Sequence, residues 1–346
     1  MMNMSQSRSF LVTGGAGFIG SHMVDMLLEN QHKVIVLDAC TYAANASAIN
    51  DFHNNPDIKF IQGSIANRSL IASLLADFSI DIILNFAAET HVDNSIQTPE
   101  IFLRTNIFGT YELLTAAMEY WQGLDKPEFK FIQISTDEVF GEVGVNEKPF
   151  SEDTAYAPRS PYSASKASSD HLVRSWYHTY KLPTLVTHCS NNFGPRQNSE
   201  KLVPKIISNA ISGKEIPIYG DGQNTRDWLY VGDHCAGILL AAENGLVGES
   251  YCFGGDNQYK NIDLAKKVCL HLDKIQPSKY GTSYVNQIRF VADRKGHDRH
   301  YAVDFSKAAN MLGYSPKSDF NECLDNTIMY YLNEIGKKRS SLFEKT

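Results

Sequence analysis

The sequence has no run of the roughly 18 apolar residues that a membrane-spanning helix needs. Its first nine residues, MMNMSQSRS, carry no apolar stretch of the kind found in a secretory signal. Basic charge is outnumbered: 32 Lys and Arg stand against 39 Asp and Glu, a formal net charge of -7. That balance argues against a nucleic-acid partner, because such binders gather Lys and Arg on one face. Cysteine is sparse, and the six present (Cys40, Cys189, Cys235, Cys252, Cys269 and Cys323) form no C-x-x-C pair. Neither a zinc site nor a disulfide framework follows from such spacing. A chain with 43% hydrophobic and 21% charged residues is not disordered or low-complexity either. The expectation is a cytoplasmic globular protein with no metal, no membrane contact and no nucleic acid.

What is present is an alternation of short β-branched and aromatic runs with longer helical stretches, the pattern of βαβ units. Strands are predicted at 10–13, 33–38, 59–62, 81–86, 129–135 and 184–190, with helices at 19–29, 69–77, 99–120 and 160–180. Beyond Asn191 the rhythm breaks, with Gly194-Pro195, Tyr219 to Gly222, and short helices near 203–212 and 263–272. A buried helix at 231–242 and a strand at 249–254 point to re-entry into the first lobe. The expected fold is α/β, a Rossmann-type doubly wound parallel sheet with a smaller C-terminal α/β substrate-binding lobe. The expected division is 1–191, rejoined by about 231–254, for the cofactor and 192–346 mainly for the substrate.

Thr13-Gly14-Gly15-Ala16-Gly17-Phe18-Ile19-Gly20 closes the first strand and opens the first helix. Glycines are needed there for a tight turn and for close approach of backbone to a pyrophosphate, which the helix N-terminus then attracts. Asp38 ends the second strand 18 residues after Gly20, near the ~20-residue spacing at which an acid accepts from ribose hydroxyls. A carboxylate there repels a 2′-phosphate, so NAD is favoured over NADP.

Tyr162 and Lys166 are one helical turn apart on the same face. A neighbouring ammonium favours the phenolate, so the tyrosine pKa is expected to fall from about 10 toward the range of a working base. Strand five ends near Ser135 and delivers Thr136, Asp137 and Glu138 to the carboxyl end of the sheet, where ligands bind. Two adjacent carboxyl groups in a dry cleft separate in pKa, leaving one as acid and the other as base.

The glycine loop, Asp38, the Y-x-x-x-K pair and the segment Ser135-Thr136-Asp137-Glu138-Val139-Phe140-Gly141 together resemble the extended short-chain dehydrogenase/reductase family over nearly the whole chain. Within it they resemble the branch of dTDP-glucose 4,6-dehydratases. Further matching segments are Phe86 to Asp93, Thr105-Asn106 with Gly109-Thr110, Asn191 to Gln197, Arg226 to Tyr230, and Asp293 to Arg299.

This resemblance implies dehydration of dTDP-glucose to a 4-keto-6-deoxy sugar with tightly bound NAD. Tyr162 would deprotonate the sugar 4-hydroxyl, Glu138 would take the C5 proton, and Asp137 would protonate the departing C6 hydroxyl. Thr136 would bond the 4-hydroxyl, and Lys166 would also hold the nicotinamide ribose. The implied cofactor contacts are Gly14, Gly17, Phe18, Ile19, Gly20, Asp38, Ala39, Thr41, Ser64, Ile65, Ala87, Ala88, Thr105, Tyr162, Lys166 and Asn192. For the nucleotide sugar they are Thr90, Thr136, Asn191, Asn192, Lys201, Leu202, Pro217, Tyr219, Arg226, Asn261, Arg294 and His297, with Arg226 foremost for the diphosphate. A homodimer through helices 99–120 and 160–180 is also implied.

Four positions depart from the family's pattern: Ser64 where an aspartate is usual, Asn94 for arginine, Phe140 for tyrosine and Lys295 for proline. Rival readings are another nucleotide-sugar 4,6-dehydratase; a 4-epimerase or decarboxylase, against both of which the Asp137-Glu138 pair argues; and a non-catalytic NAD-dependent sensor.

Overall fold

Strand β1 (Ser9–Thr13) is buried along its whole length, and its side chains alternate between two cores. Phe10 and Val12 join one apolar cluster, and Leu11 joins the other. A strand covered on both faces needs such an unbroken apolar run. This computed structural model describes residues 7–123, 128–144, 147–279 and 281–343. Most of the N-terminal stretch read above for a signal therefore lies outside the described residues.

In chain order, β1 is followed by α1 (Phe18–Glu29), β2 (Lys33–Asp38), α2 (Ala46–Asn54), β3 (Ile58–Gln62), α3 (Arg68–Asp77) and β4 (Ile82–Asn85). Next come α4 (Val92–Gln97), α5 (Pro99–Phe102), α6 (Thr110–Gln122), β5 (Lys130–Ile134), α7 (Pro161–Tyr180) and β6 (Thr184–Cys189). The remainder comprises β7 (Asn191–Phe193), α8 (Leu202–Ile211), β8 (Ile216–Tyr219), β9 (Thr225–Tyr230), α9 (Val231–Asn244) and β10 (Ser250–Phe253). It closes with β11 (Gln258–Lys260), α10 (Asn261–Ile275), β12 (Ile288–Val291), α11 (Ser306–Leu312) and α12 (Phe320–Phe343).

The main sheet has seven strands in the order β10-β6-β5-β4-β1-β2-β3, every pair parallel. One strand beyond the six predicted for the first half joins it: β10 pairs with β6. The chain runs outward from β1 to β3, then returns to place β4 on β1's other side. That reversal opens a crevice at the carboxyl ends of β1 and β4. Met23, Val24 and Leu27 of α1 and Cys235 and Ile238 of α9 cover one face. Ile71 of α3, Leu113 and Leu114 of α6 and Val173 of α7 cover the other.

A third core lies apart from the main sheet, where Val203 and Ile207 of α8, Leu264 and Val268 of α10 and Leu324 and Ile328 of α12 meet Ile216 and Ile218 of β8. Two small sheets flank it, β11-β9-β7 and β12-β8.

The helix read as 99–120 is divided. Between α5 and α6, Leu103–Gly109 is π-helical, a widening that recurs at functional sites. α7 starts where predicted, because Ser160 caps it reciprocally with Ser163 and Pro161 occupies its first turn.

Candidate active site

Gly14 sits at φ +67°, and a Cβ there would lie 2.7 Å from the Ala87 nitrogen. At Gly20 a Cβ would lie 2.3 Å from the Gly14 carbonyl oxygen. Both contacts are with backbone that cannot step aside, so the loop brings β1, α1 and the end of β4 closer than any side chain permits. Gly17 is the N-cap of α1 and offers no side-chain acceptor, which leaves the first-turn N–H groups directed at the crevice.

A cavity of about 330 Å³ occupies that crevice. Gly14, Gly17, Phe18, Ile19 and Gly20 line it from the first loop, Asp38, Ala39 and Thr41 from the end of β2, and Ser64 and Ile65 from the end of β3. Ala87, Ala88 and Thr90 contribute from beyond β4, Thr105 from the π-helical turn, and Asn191 and Asn192 from β7. Asp38 is 8% exposed and accepts the N–H groups of Ala16 (2.9 Å) and Cys40 (2.7 Å). Burial pushes its carboxyl up, and those two bonds oppose the rise.

Thr136, Asp137, Glu138, Tyr162 and Lys166 line the same cavity. Beyond β5 the chain turns through a short 3-10 segment, Asp137–Phe140, and Thr136 Oγ1 accepts the Glu138 N–H at 3.3 Å. The Thr136 hydroxyl also donates to Asp137 Oδ1 at 3.3 Å, while Asp137 Oδ2 is buried without a partner. Burial, then the negative field of Glu138, pushes the Asp137 carboxyl well above the usual carboxylate range. Burial also raises Glu138, but Lys201, Arg226 and Arg294 act against the rise. Both are raised by burial and both feel Arg226, but Asp137 is repelled by Glu138 and Asp227, whereas Glu138 is drawn down by Lys201 and Arg294 as well.

The Tyr162–Lys166 pair corrects an expectation. Burial first, and then Glu138, pushes the Tyr162 phenol well above its ordinary value. Lys166 does not lower it; its ammonium donates to the Ile134 carbonyl at 2.7 Å, and burial pulls its own pKa down. One helical turn set both side chains on a common face, but the lysine's reach carried it to the end of β5. In the protein alone, Tyr162 is therefore held protonated.

A second cavity of about 270 Å³ shares Glu138, Asn191, Asn192 and Lys201 with the first. Leu202, Pro217, Tyr219, Arg226, Asn261, Arg294 and His297 line it. Arg226 is 7% exposed and donates to the carbonyls of Asp298 (2.7 Å) and Thr225 (2.8 Å). Arg294 pairs with Asp93 at 2.8 Å, Lys201 donates to the Thr90 carbonyl at 3.0 Å, and His297 meets Asp293 at 2.7 Å.

Every residue given a catalytic, cofactor or substrate role from the sequence thus lines one or both cavities. Several lining residues were not singled out. Glu89 and Glu200 bring acid to the first cavity, and Cys189 and Gln197 also face it. Tyr301 and Asp298 close the second. Asn106 is absent from both linings yet braces the site, accepting the Glu89 N–H (2.8 Å) and donating to Ser165 Oγ (2.8 Å). It belongs to the matching segment Thr105-Asn106, which gave it no role.

A family model described as GDP-mannose 4,6 dehydratase matches residues 11–327. The chain belongs to that family. The dTDP-glucose 4,6-dehydratase of Xanthomonas campestris pv. campestris (strain B100) is 46% identical over 327 residues, 94% of this chain and 93% of the relative. The dTDP-glucose 4,6-dehydratase 1 of Escherichia coli (strain K12) is 48% identical over 335 residues, 93% of this chain and 92% of the relative. Among solved structures, a dTDP-glucose 4,6-dehydratase from Streptomyces venezuelae with NAD and TYD bound is 39% identical, with a TM-score of 0.86, covering 95% of this chain and 98% of that one.

Within this family the four departures find local explanations only in part. Ser64 Oγ accepts the Ala66 N–H at 3.1 Å, so the residue caps its own turn. Phe140 packs on His188 at 4.9 Å and on Tyr156 at 5.3 Å between ring centroids. Lys295 is exposed, and the Asn94 side chain hydrogen-bonds Tyr42. Among the described residues no cluster of His, Cys, Asp and Glu could hold a metal ion, and no helix is long and apolar enough to cross a membrane.

Proposed function

We propose that this protein dehydrates dTDP-glucose to dTDP-4-keto-6-deoxyglucose with NAD as resident cofactor. The observation that carries the reading is the Asp137–Glu138 pair, set beside Tyr162 where the two cavities meet, with Asp137 raised further and the rise of Glu138 opposed by three cations. Elimination of water across C5 and C6 requires one group to accept a proton while another donates one.

The first cavity fits a dinucleotide: a Cβ-free cradle at Gly14 and Gly20, an uncapped helix N-terminus and Asp38 at the end of β2. When bound, NAD would accept the hydride from C4 and return it to C6 after water has left, so that it is regenerated within one turnover and C5 takes back a proton. The chain's own groups move the protons. Tyr162 accepts the proton of the sugar 4-hydroxyl, which Thr136 orients, only as the phenolate. Because burial holds the phenol protonated, it must first release its own proton to solvent, with a cation beside the ring to stabilise the anion. Glu138 removes the C5 proton, acidified by the 4-ketone. Asp137, protonated by its surroundings, donates to the leaving C6 hydroxyl. Arg226, Lys201 and Arg294 hold the diphosphate, with Asn191, Leu202, Pro217, Tyr219, Asn261 and His297 around the rest of the nucleotide.

On this reading residues 1–191 with 231–254 form the cofactor domain and most of 192–346 the nucleotide-sugar domain. The protein is a homodimer of the cytoplasm. Exposed Ile101, Leu103, Phe108 and Tyr111 on the α5–α6 stretch and Tyr180 on α7 support the pairing, and six free cysteines suit a reducing compartment.

The test is incubation with dTDP-glucose and product analysis by mass and NMR. A 4-keto-6-deoxy product formed without net NAD consumption is expected. Formation of dTDP-galactose alone would make the protein an epimerase, the activity named for the UDP-glucose 4-epimerase of Thermotoga maritima, whose structure is 30% identical with a TM-score of 0.83 over 94% of this chain and 99% of that one.

A further inference from the structure

α7 carries Tyr162, Lys166 and Asp170 at four-residue intervals, all buried, stacked along one face of the helix. The first two line the first cavity; Asp170 lines neither. It is 0% exposed, and its carboxylate is the hub of a closed polar cluster. Oδ2 accepts from the Ser135 hydroxyl (2.6 Å) and the Tyr156 hydroxyl (3.1 Å), and lies 3.5 Å from His188 Nε2. Tyr156 is itself held by His188 Nε2 at 2.7 Å and by Arg174 at 3.3 Å. Asp170 Oδ1 and His188 Nδ1 have no partner.

A fully buried carboxylate with one idle oxygen is a poor way to stabilise a core, since an apolar replacement of similar shape often does as well or better. Its two connections indicate another use. Ser135 directly precedes Thr136, and the carbonyl one peptide before Ser135, that of Ile134, is the acceptor for Lys166. Of the groups acting on Lys166, Asp170 is the strongest that keeps it charged against burial.

We propose that Asp170 is a positioning residue for the Tyr162–Lys166 pair, its carboxylate supplying the buried counter-charge to Lys166 while its bond to Ser135 fixes the end of β5 that presents Thr136. The role rests on the dehydratase reading for its consequence in turnover, but the charge on Lys166 can be read without turnover.

Two variants separate the halves of the role. Asp170→Asn keeps the shape and removes the charge; Ser135→Ala keeps the charge and removes the bond. In the full-length protein freed of cofactor, side-chain NMR of Lys166 is expected to show its proton lost at lower pH in Asp170→Asn and at the wild-type pH in Ser135→Ala. The other groups facing the cluster, Arg174 on α7, His188 and Cys189 on β6 and Tyr156 before α7, are retained in both, so the shift reports Asp170. In the NAD-loaded protein turning over dTDP-glucose, Asp170→Asn is expected to lower kcat about ten- to a hundredfold, leave KM within about twofold, and move the alkaline limb of the kcat profile to lower pH.

An unmoved Lys166 titration in Asp170→Asn overturns the proposal, as does a variant whose only change is a lower Tm. If Asp170→Asn does not fold, Ser135→Ala decides: a lowered kcat with unchanged KM supports the role, and a wild-type kcat overturns it. A wild-type protein that forms no dehydrated sugar sinks the dehydratase reading, and the Lys166 titration still judges Asp170.

Discussion

The guanidinium of Arg226 lies over the ring of Tyr301, its carbon 4.1 Å from the ring centroid. The same guanidinium is forked onto the Asp298 and Thr225 carbonyls, while the Tyr301 hydroxyl donates to Asp298 Oδ2 at 2.5 Å. Stacking and forked bonding are guanidinium properties that an ammonium does not reproduce. Arg226→Lys is therefore expected to raise KM for the nucleotide sugar about tenfold or more, equivalent to roughly 1.4 kcal/mol, with a smaller loss in kcat. Steady-state kinetics check this; an unchanged KM would remove Arg226 from diphosphate binding.

Glu138→Gln keeps the hydrogen-bonding shape beside Lys201, Arg226 and Arg294 but cannot accept a proton. Loss of a positioned base costs about 10²- to 10⁴-fold, so turnover is expected to fall by that range. Oxidation at C4 precedes the elimination, so the variant should still accumulate reduced cofactor slowly, visible by its absorbance. Solvent deuterium appearing at C5 at the wild-type rate would rule out this role for Glu138.

The sheet and the site were legible in the sequence to different depths. Strands such as β1 and β2 announce themselves because burial on both faces demands unbroken apolar runs, and the glycine loop after β1 has a backbone reason for Gly14 and Gly20. The Thr136–Glu138 segment was readable because strand ends face the crevice. The π-helical turn at 103–109 was not, since its periodicity differs from that of an α-helix by too little over seven residues. Nor was Lys166's turn toward Ile134: helical spacing sets where a side chain starts, and tertiary packing sets where a long one ends. β9 and α12 were missed because their burial comes from distant segments, such as Phe320 packing on Phe193 at 4.9 Å between centroids.

Asp137 links function to stability. Its carboxyl is raised in the folded protein by burial and by Glu138, so the folded state binds its proton more tightly than the unfolded chain does. Stability from that preference is complete below the ordinary carboxylate range and is lost as pH rises through the folded value. Asp137→Asn cannot ionise and escapes the loss. Its Tm is expected to exceed the wild type's by a few degrees on the alkaline side, with the gain vanishing in acid, while kcat falls about a hundredfold or more. Thermal melts across pH measure this; a constant difference in Tm would show that Asp137 has no raised pKa.

Asp38 does two things with one carboxylate, holding the Ala16 and Cys40 N–H groups and ending β2 where a ribose would lie. Asn has only one accepting oxygen, so Asp38→Asn leaves one of those N–H groups facing an NH₂ group. NAD retained through purification is expected to drop about tenfold or more, one charge-assisted hydrogen bond being worth roughly 1.5–3 kcal/mol. Release of bound nucleotide by denaturation and its quantitation test the prediction, and undiminished NAD in the variant would refute it.

Phe108 is 64% exposed on the π-helical turn that also carries Thr105 into the first cavity. An aromatic ring left to water is unfavourable, and Ile101, Leu103 and Tyr111 extend the apolar patch around it. If this patch pairs two subunits, a charge at its centre must be desolvated without a partner, which costs several kcal/mol at an interface. The wild-type protein is then expected to behave as the proposed dimer, and Phe108→Glu as a monomer, in sedimentation and light scattering. Because Thr105 and the Glu89 brace at Asn106 sit on the same turn, the monomer should also bind NAD more weakly. A variant that stays dimeric would move the interface elsewhere, and a monomer with undiminished NAD affinity would uncouple pairing from the site.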